Sequence, residues 1–177
     1  MKKILTAYFS QKGETYMNGD IVVVEKGNTQ IVAERIAQII ETDLFHIEKE
    51  GGYPLSYNGM VEIAKEEWRM DARPGIVGVV EHMDQYDTVI LGYPNWCGTM
   101  PKPVCTFLTG YDLAGKRIIP FCTNEGSGLG KSMEDLRRLL PQCQILEGTA
   151  IHGAEAAVVT DEIERIVKLA SEDVALH

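Results

Sequence analysis

Short, continuously apolar segments alternate with amphipathic segments along the chain, and this alternation constrains the fold more than any other feature. Five β-rich apolar segments predict strands at residues 3–9, 44–47, 88–93, 117–121 and 145–151. Because their apolar residues are continuous, these strands are typical of a parallel sheet covered by helices on both faces. The sequence therefore predicts a doubly wound α/β fold, in which ligands bind beyond the carboxyl ends of the strands.

Helical periodicity between and after these segments predicts five helices, at residues 29–41, 60–68, 101–108, 132–140 and 160–170. Ser132 and Asp135 have the spacing of a capping box at the start of the fourth helix. On the second helix, Glu66 and Glu67 are interpreted as a solvated face and not as an acid–base pair, because adjacent helical residues point apart.

Residues 11–26 interrupt this order after the first strand. They contain Asn18 and Gly19, a dipeptide typical of tight hairpin turns, followed by the β-rich residues 21–24. We expect a hairpin-like excursion within the first loop. Such a segment could form a wall or lid over a substrate pocket.

Length and composition exclude several classes of function. The 177 residues fit one domain spanning residues 1–177. A net charge of −9 without a basic run argues against nucleic-acid binding. The apolar segments are too short to cross a bilayer and the N-terminus lacks the features of a secretory signal, so we expect a cytoplasmic protein without membrane association. The four cysteines show neither metal-site nor redox-pair spacing, and we expect reduced thiols and no metal.

The first candidate site is the loop between the first strand and the first helix. Ser10 directly follows the strand, and Gly27, Asn28 and Thr29 lie at the start of the helix. Hydroxyl groups and free backbone N–H groups at a helix N-terminus suit a phosphate, which can be bound there with little or no positive charge. The alternative is that Asn28 and Thr29 only cap the helix.

Two further loops follow the third and fourth predicted strands. The loop at residues 94–101 contains Trp96, whose ring either packs on the protein's own surface or offers a stacking platform for a flat heterocycle. Gly98 would let the backbone approach that heterocycle closely. The loop at residues 122–128 combines polar side chains with glycines and could hydrogen-bond the edge of a heterocycle. We expect the three loops to meet at one edge of the sheet.

Together these loops resemble the flavodoxin family, over nearly the whole chain. The resemblance is carried by Tyr8-Phe9-Ser10 with Gly27-Asn28-Thr29, by Pro94-Asn-Trp-Cys-Gly-Thr-Met-Pro101, and by residues 115–130. More narrowly, the chain resembles bacterial flavodoxin-like proteins with a Trp-x-Gly-Thr-Met-Pro loop. The resemblance implies FMN as the cofactor and a five-stranded parallel sheet in the order 2-1-3-4-5, with helices on both faces.

The cofactor-binding residues that the resemblance implies are Ser10, Lys12, Gly27, Asn28, Thr29, Pro94, Asn95, Trp96, Cys97, Gly98, Thr99, Cys122, Thr123, Asn124, Glu125, Gly126, Ser127 and Gly128. The chain departs from the family pattern where residues 11–26 separate Ser10 from Gly27, and where Cys97 replaces a frequent aromatic residue. We therefore expect stacking mainly on Trp96, with Cys97 a small apolar group near the flavin. The resemblance places the Gly98 backbone beside the reactive nitrogen of the flavin, where glycine permits a peptide to reorient.

FMN implies electron transfer, and two classes of protein remain open. A low-potential electron carrier is favoured by the acidic composition, which opposes negative charge on the flavin and would attract basic redox partner proteins. The alternative is an NAD(P)H-dependent FMN reductase of quinones or similar small acceptors, with residues 11–26 walling off a substrate pocket.

Overall fold

The computed structural model describes residues 3–172, and a parallel β-sheet lies at their centre. Within this range the strands are β1 (Ile4–Phe9), β2 (Gly13–Met17), β3 (Asp20–Val24), β4 (Asp43–Ile47), β5 (Thr88–Pro94), β6 (Arg117–Asn124), β7 (Gln144–Ile145) and β8 (Thr149–His152). The α-helices are α1 (Asn28–Ile39), α2 (Tyr57–Arg69), α3 (Lys102–Thr109), α4 (Ser132–Leu139) and α5 (Asp161–Ser171). The α/β architecture predicted from the sequence is confirmed.

The main sheet runs β4-β1-β5-β6-β7, with β8 also paired to β6, and its pairings are parallel. The prediction of five strands is wrong, because the last predicted strand is divided into β7 and β8. β7 pairs with the beginning of β6 and β8 with its end. Glu147 lies in the break, where its side chain is 80% exposed and contacts Arg165 at 2.7 Å. The break keeps this carboxylate in water, since burying a charge inside a sheet is costly.

Helices cover both faces of the sheet, as the apolar strands predict. α2, α3 and α4 contribute to the core on one face, and α1 and α5 to the core on the other. Successive strand residues point to opposite faces, so Val89 and Leu91 lie in the first core and Ile90 lies in the second. Between residues 3 and 172, no helix is long and apolar enough to cross a membrane.

Strands β2 and β3 form a separate antiparallel hairpin between β1 and α1. Asn18 and Gly19 have φ angles of 51° and 90°, as a type I′ turn requires. The predicted hairpin is therefore confirmed. Its first strand is joined to the body of the protein by the Glu14 N–H, which donates to the Leu55 carbonyl at 2.8 Å.

The predicted capping box at the start of α4 is wrong. Ser132 is the first residue of the helix and not its cap, and its hydroxyl donates to the Leu129 carbonyl. Asp135 accepts a hydrogen bond from the Thr99 hydroxyl at 2.5 Å. This contact ties α4 to the loop after β5, a tertiary interaction that local spacing does not reveal.

Candidate functional site

A cavity of about 490 Å³ opens at the carboxyl ends of β1, β5 and β6. The loops that follow these strands meet there, together with β2 of the hairpin and one face of α2. Doubly wound folds bind their ligands at this edge of the sheet. The size of the cavity suits a cofactor or another small organic ligand.

Helix α1 begins at one end of this cavity, with Gly27 as its N-cap. Gly27 has no side chain to cap the helix, neither Asn28 nor Thr29 makes a capping hydrogen bond within the described residues, and the first turn of α1 carries no acidic residue. The alternative that Asn28 and Thr29 cap the helix is therefore wrong. The Asn28 amide donates to the Met17 sulfur at 3.4 Å, and the Thr29 and Thr123 hydroxyls share a hydrogen bond of 2.7 Å. The helix start thus offers backbone N–H groups and a positive dipole end, which together attract anions.

Gly27 allows the chain to pass close to Ser10. A Cβ atom at residue 27 would lie 2.2 Å from Ser10 Oγ and 2.6 Å from the Gln11 carbonyl oxygen, although the φ of Gly27 is an ordinary −69°. The Ser10 hydroxyl accepts the Gln30 N–H at 3.2 Å. Glycine is therefore needed here for space and not for an unusual backbone conformation.

Trp96 lies between the core and the cavity. Its ring packs edge to face against Phe9 and Tyr53, with centroid distances of 5.0 and 5.1 Å. The residue is half-buried and also lines the cavity. Two aromatic neighbours therefore fix the orientation of the ring while part of it remains available to a ligand.

A buried polar network supports this aromatic cluster. The Tyr53 hydroxyl donates to the Glu67 carboxylate, whose other oxygen lies 3.3 Å from Lys49 Nζ. Burial and the contact with Glu67 raise the pKa of Tyr53, so its hydroxyl stays protonated and remains the donor. The interpretation of Glu67 as a solvated residue is wrong, since it is only 8% exposed. Glu66 does lie at the surface, where it pairs with Arg69.

Residues 96–99 form a tight turn at the cavity. The Trp96 N–H donates to the Thr99 carbonyl at 2.9 Å, and the Thr99 N–H donates to the Trp96 carbonyl at 3.1 Å. Between them, Cys97 and Gly98 have φ angles of 56° and 80°, the combination found in type I′ turns. Cys97 lines the cavity, and desolvation raises the pKa of its thiol. The thiol therefore stays protonated at neutral pH, which fits a neutral group better than a nucleophile.

The glycine-rich loop after β6 is hydrogen-bonded to this turn. The Gly98 carbonyl accepts the Lys131 N–H at 2.7 Å, and Asn95 Nδ2 donates to the Gly128 carbonyl at 3.0 Å. A Cβ atom at Gly130 would lie 2.2 Å from the Gly98 oxygen, so this close contact requires glycine. The Gly98 carbonyl is thus engaged by the neighbouring loop.

Asn124 fixes the shape of the same loop. Its side-chain oxygen accepts the N–H groups of Gly126 and Gly128, at 2.9 and 3.1 Å. Its Nδ2 donates to the Ile151 carbonyl of β8 at 3.2 Å. The Asn124 side chain therefore organises the loop and also lines the cavity.

Glu125 joins three segments at the cavity. Its carboxylate accepts the N–H of Asn18 at 3.3 Å, at the tip of the hairpin, and the N–H of Ala154 at 3.1 Å. The same carboxylate lies 2.6 Å from His152 Nε2, at the end of β8. Glu125 therefore fastens the tip of the hairpin to the sheet.

One face of α2 and the hairpin form a continuous side of the cavity. The α2 residues on this side are Tyr57, Met60, Val61, Ala64 and Lys65. Residues spaced in this way share one face of a helix. The Glu14 carboxylate of the hairpin accepts the Tyr57 N–H at 2.8 Å, and the Tyr16 and Tyr57 rings lie 6.3 Å apart. We call this side, formed by Glu14, Thr15 and Tyr16 with the α2 residues, the cavity wall.

Comparison with known protein families identifies the chain. A family model described as flavodoxin matches residues 3–168. The chain belongs to the flavodoxin family. This membership confirms the resemblance to the flavodoxin family and the FMN cofactor that the resemblance implied, while the narrower resemblance to the branch with a Trp-x-Gly-Thr-Met-Pro loop stays a prediction.

Solved structures of flavoproteins are similar to this member of the flavodoxin family. A protein assigned as a flavoprotein from Bacteroides eggerthii DSM 20697 is 28% identical, with a TM-score of 0.76 over 98% of this chain and 100% of that chain. A flavoprotein from Lactobacillus acidophilus NCFM, in complex with FMN, is 20% identical, with a TM-score of 0.63 over 88% and 96% of the two chains. An NADH:FMN oxidoreductase is 15% identical, with a TM-score of 0.52 over 96% and 86%. The last two show the fold alone. Comparison with curated proteins gave no match.

The flavodoxin fold brings most of the predicted binding residues together. Those that line the cavity are Ser10, Asn28, Thr29, Pro94, Asn95, Trp96, Cys97, Thr123, Asn124, Glu125 and Ser127. Those that do not line it are Gly27, Gly98, Thr99, Cys122, Gly126 and Gly128, which belong to the same three loops. Lys12 does not line this cavity but a neighbouring one, together with His46 and Lys49, and Ser10 lines both.

The resemblance to flavodoxins suggests Tyr57 as a residue that borders the site, and Tyr57 lines the cavity, whereas the contributions of the rest of α2 and of Gly153 are not predicted. The periodic residues that predict this helix include Met60 and Ala64, which are buried, and Ile63, which is exposed, but the periodicity gives no sign that this helix reaches the cavity. The sequence feature that could have indicated this contribution is the presence of Tyr57 and Lys65, two residues with polar groups, on the otherwise apolar face of α2. Gly153 carries no local signal because its role is steric: a Cβ atom there would lie 2.7 Å from Asn28 Nδ2.

Replacing Thr29 with valine is expected to weaken FMN binding by about 1 to 2 kcal/mol, because the Thr123 hydroxyl then loses its buried partner beside the start of α1. Fluorescence titration of the apoprotein with FMN measures this change. Thr42→Val is the control, since its hydroxyl bonds to the Ile4 carbonyl and does not line the cavity. Wild-type affinity in Thr29→Val would remove Thr29 from the binding site.

Replacing Glu125 with alanine is expected to loosen the hairpin, because isolated two-stranded hairpins are only marginally stable and this one loses the hydrogen bond at its tip. Backbone amides of residues 13–24 should exchange with deuterium faster, and FMN should dissociate faster. Glu155→Ala is the matched control, because Glu155 also approaches His152, at 4.0 Å, but has no contact with the hairpin tip. Unchanged exchange in Glu125→Ala would contradict a fastening role.

Proposed function

We propose that this chain is an FMN-dependent reductase that passes electrons from a reduced nicotinamide to small organic acceptors such as quinones. The observation that carries the proposal is the cavity wall formed by the hairpin and α2. A pure electron carrier needs only an exposed flavin edge, whereas a small acceptor needs a space that holds it against the flavin. The wall extends the lining of the cavity beyond the three loops suited to FMN, which favours such a space.

The residues around the cavity fit FMN. The start of α1, with Ser10 and Thr29 beside it, suits the phosphate. Trp96 offers aromatic surface for the isoalloxazine, and the loop at residues 122–128 offers hydrogen-bonding groups for a heterocycle. Gly27 lies so close to Ser10 that a Cβ atom would clash, and this close contact brings the two segments suited to the phosphate together. Bound FMN would supply the electron transfer, while the protein binds, orients and limits access to it.

The turn at residues 96–99 supports transfer to a small acceptor more than one-electron exchange with a protein. Reversal of the peptide between Cys97 and Gly98 would convert a type I′ turn into a type II′ turn, which requires glycine at the first central position. Cys97 occupies that position. Cys97 therefore opposes the peptide reorientation that was expected at Gly98. The hydrogen bond from the Lys131 N–H to the Gly98 carbonyl also makes the turn more rigid.

Charges around the cavity favour a strongly reducing flavin. Glu14 and Glu125 line the cavity, and Lys65 is the single lysine or arginine among the described residues that do so. The whole chain carries a net charge of −9. Negative surroundings oppose the negative charge that reduction adds to a flavin, and they lower its reduction potential.

A second candidate is a low-potential electron carrier, which the net charge favours. An acidic protein associates faster with basic redox partners, and this steering weakens as salt screens the charges. The same acidic surface is compatible with a reductase, whereas the cavity wall has no evident use in a carrier.

The two candidates are distinguished by loading the protein with FMN and following the oxidation of a reduced nicotinamide in the presence of naphthoquinone. A reductase is expected to oxidise the nicotinamide continuously, with turnover of at least about 1 s⁻¹, within the usual range of enzymes. A carrier would leave the nicotinamide unchanged, yet after chemical reduction it would reduce a basic haem protein at a rate that falls with salt.

A further inference from the structure

Lys65 is an exposed residue of the cavity wall at the rim of the site. Cys97 of the turn at residues 96–99 lines the same cavity, so Lys65 and this turn border one space. Within residues 3–172, no carboxylate forms an ion pair with Lys65. The ammonium is therefore free to meet a charged group that enters the cavity.

The carboxylates of the same cavity are already engaged. Glu14 accepts the Tyr57 N–H, and Glu125 accepts two backbone N–H groups and contacts His152. Their charges are partly compensated by these donors. Lys65 is therefore the charged group in the described lining that lacks a protein partner.

Apart from Glu14, whose carboxylate is engaged by the Tyr57 N–H, and Thr15, the remaining wall is aromatic and apolar. The Tyr16 and Tyr57 rings lie 6.3 Å apart and are tilted by 34°, and Met60 and Val61 complete the surface on α2. Aromatic and aliphatic groups of this kind pack well against a flat ring. A planar apolar body together with one negative charge complements this combination of surfaces.

We propose that the cavity wall selects planar aromatic acceptors that carry an anionic group, such as sulfonated or carboxylated quinones, and that Lys65 recognises the charge. This inference rests on the proposed reductase function. The overall reaction is a two-electron reduction: the reduced nicotinamide supplies two electrons and one proton, water supplies the second proton, and the quinone leaves as the hydroquinone.

The test compares naphthoquinone sulfonate with unsubstituted naphthoquinone on the FMN-loaded protein. Dissociation constants are measured by calorimetry on the oxidised protein, and kcat/KM is measured with a reduced nicotinamide. We expect the wild type to bind the sulfonate at least about tenfold more tightly, a preference that decreases as salt screens the charges. Lys65→Met should abolish most of this preference, and Lys65→Arg should retain it.

Lys168→Met is the matched control, because it removes the same charge from α5, which contributes no residue to the cavity lining. The preference in this variant should equal that of the wild type. The role of Lys65 would be overturned if the preference for the sulfonate survives in Lys65→Met or is absent from the wild type. The proposed reductase function would still stand in that case, provided that unsubstituted naphthoquinone is reduced. Failure to reduce either quinone while FMN is bound would reject both proposals.

Discussion

Replacing Gly27 with alanine is expected to weaken FMN binding about 100-fold. The added Cβ atom would lie 2.2 Å from Ser10 Oγ and 2.6 Å from the Gln11 carbonyl oxygen. One of these atoms belongs to the backbone and the other to a short side chain, so neither can move away without shifting the loop after β1. Overpacking of this kind costs about 3 kcal/mol at the upper end of its usual range, which corresponds to about a 100-fold change in affinity.

Gly27→Ala should act mainly on the binding of the FMN phosphate. Movement of Ser10 disturbs the hydrogen bond to the Gln30 N–H and with it the start of α1, the part of the site suited to the phosphate. Calorimetric titrations with FMN and with riboflavin, which lacks the phosphate, show whether the affinity is lost at the phosphate or at the rest of the flavin. We expect riboflavin to lose much less affinity than FMN.

Gly110→Ala provides a control for general strain. Its Cβ atom would lie 3.2 Å from the Thr106 carbonyl oxygen at the end of α3, and Gly110 does not line the cavity. This variant should lose some thermal stability and keep wild-type affinity for FMN. If Gly27→Ala and Gly110→Ala bind FMN equally well, the close approach of Gly27 to Ser10 is not part of the cofactor site.

Replacing Trp96 with alanine is expected to lower the affinity for FMN by a similar amount, through loss of contact area and not through a clash. The ring lines the cavity and packs against Phe9 and Tyr53, so its removal takes away contact area for FMN and leaves a space between two aromatic residues. Truncating a large aromatic residue costs about 3 kcal/mol or more where the space does not collapse. We expect FMN affinity to fall about 100-fold, measured by equilibrium dialysis with absorbance of the free flavin.

Trp68 is the matched control, because the chain contains two tryptophans and only Trp96 lines the cavity. Trp68 donates its indole N–H to the Met100 carbonyl at 2.9 Å and packs against the core. Trp68→Ala should lower thermal stability with a much smaller loss of FMN affinity. Equal losses of affinity in both variants would mean that Trp96 acts through stability and not through contact with the flavin. In Trp68→Phe, where Trp96 is the remaining tryptophan, FMN should quench the emission.

The sequence predicts the sheet well where burial on both faces leaves a continuous apolar pattern. Residues 88–93 show this pattern and form the centre of β5, whose neighbours β1 and β6 follow the same rule. The last predicted strand, at residues 145–151, departs from this continuous apolar pattern at Glu147, which is charged. The break between β7 and β8 lies at this residue, so the charge itself was the local sign of the interruption.

The candidate site is predictable where function requires unusual residues in a loop, and not where an ordinary helix faces a cavity. Trp96 and the segment before α1 are conspicuous because loops rarely combine these residue types. Glu67 shows the limit of local reasoning, because its burial depends on Tyr53 and Lys49, which reach it only in the folded protein. The close contact of Gly27 with Ser10 is likewise hidden, since sixteen intervening residues separate them in the sequence.

The hairpin leaves the body of the protein next to Ser10 and returns next to Gly27, two points that nearly touch. Because the ends of this insertion meet, its length and composition can change without altering the spacing of the groups suited to the phosphate. The cost of closing a loop also grows only slowly with its length. We therefore expect that residues 11–26 can be exchanged, by evolution or by protein engineering, to alter which molecules reach the flavin while the groups suited to its phosphate stay in place.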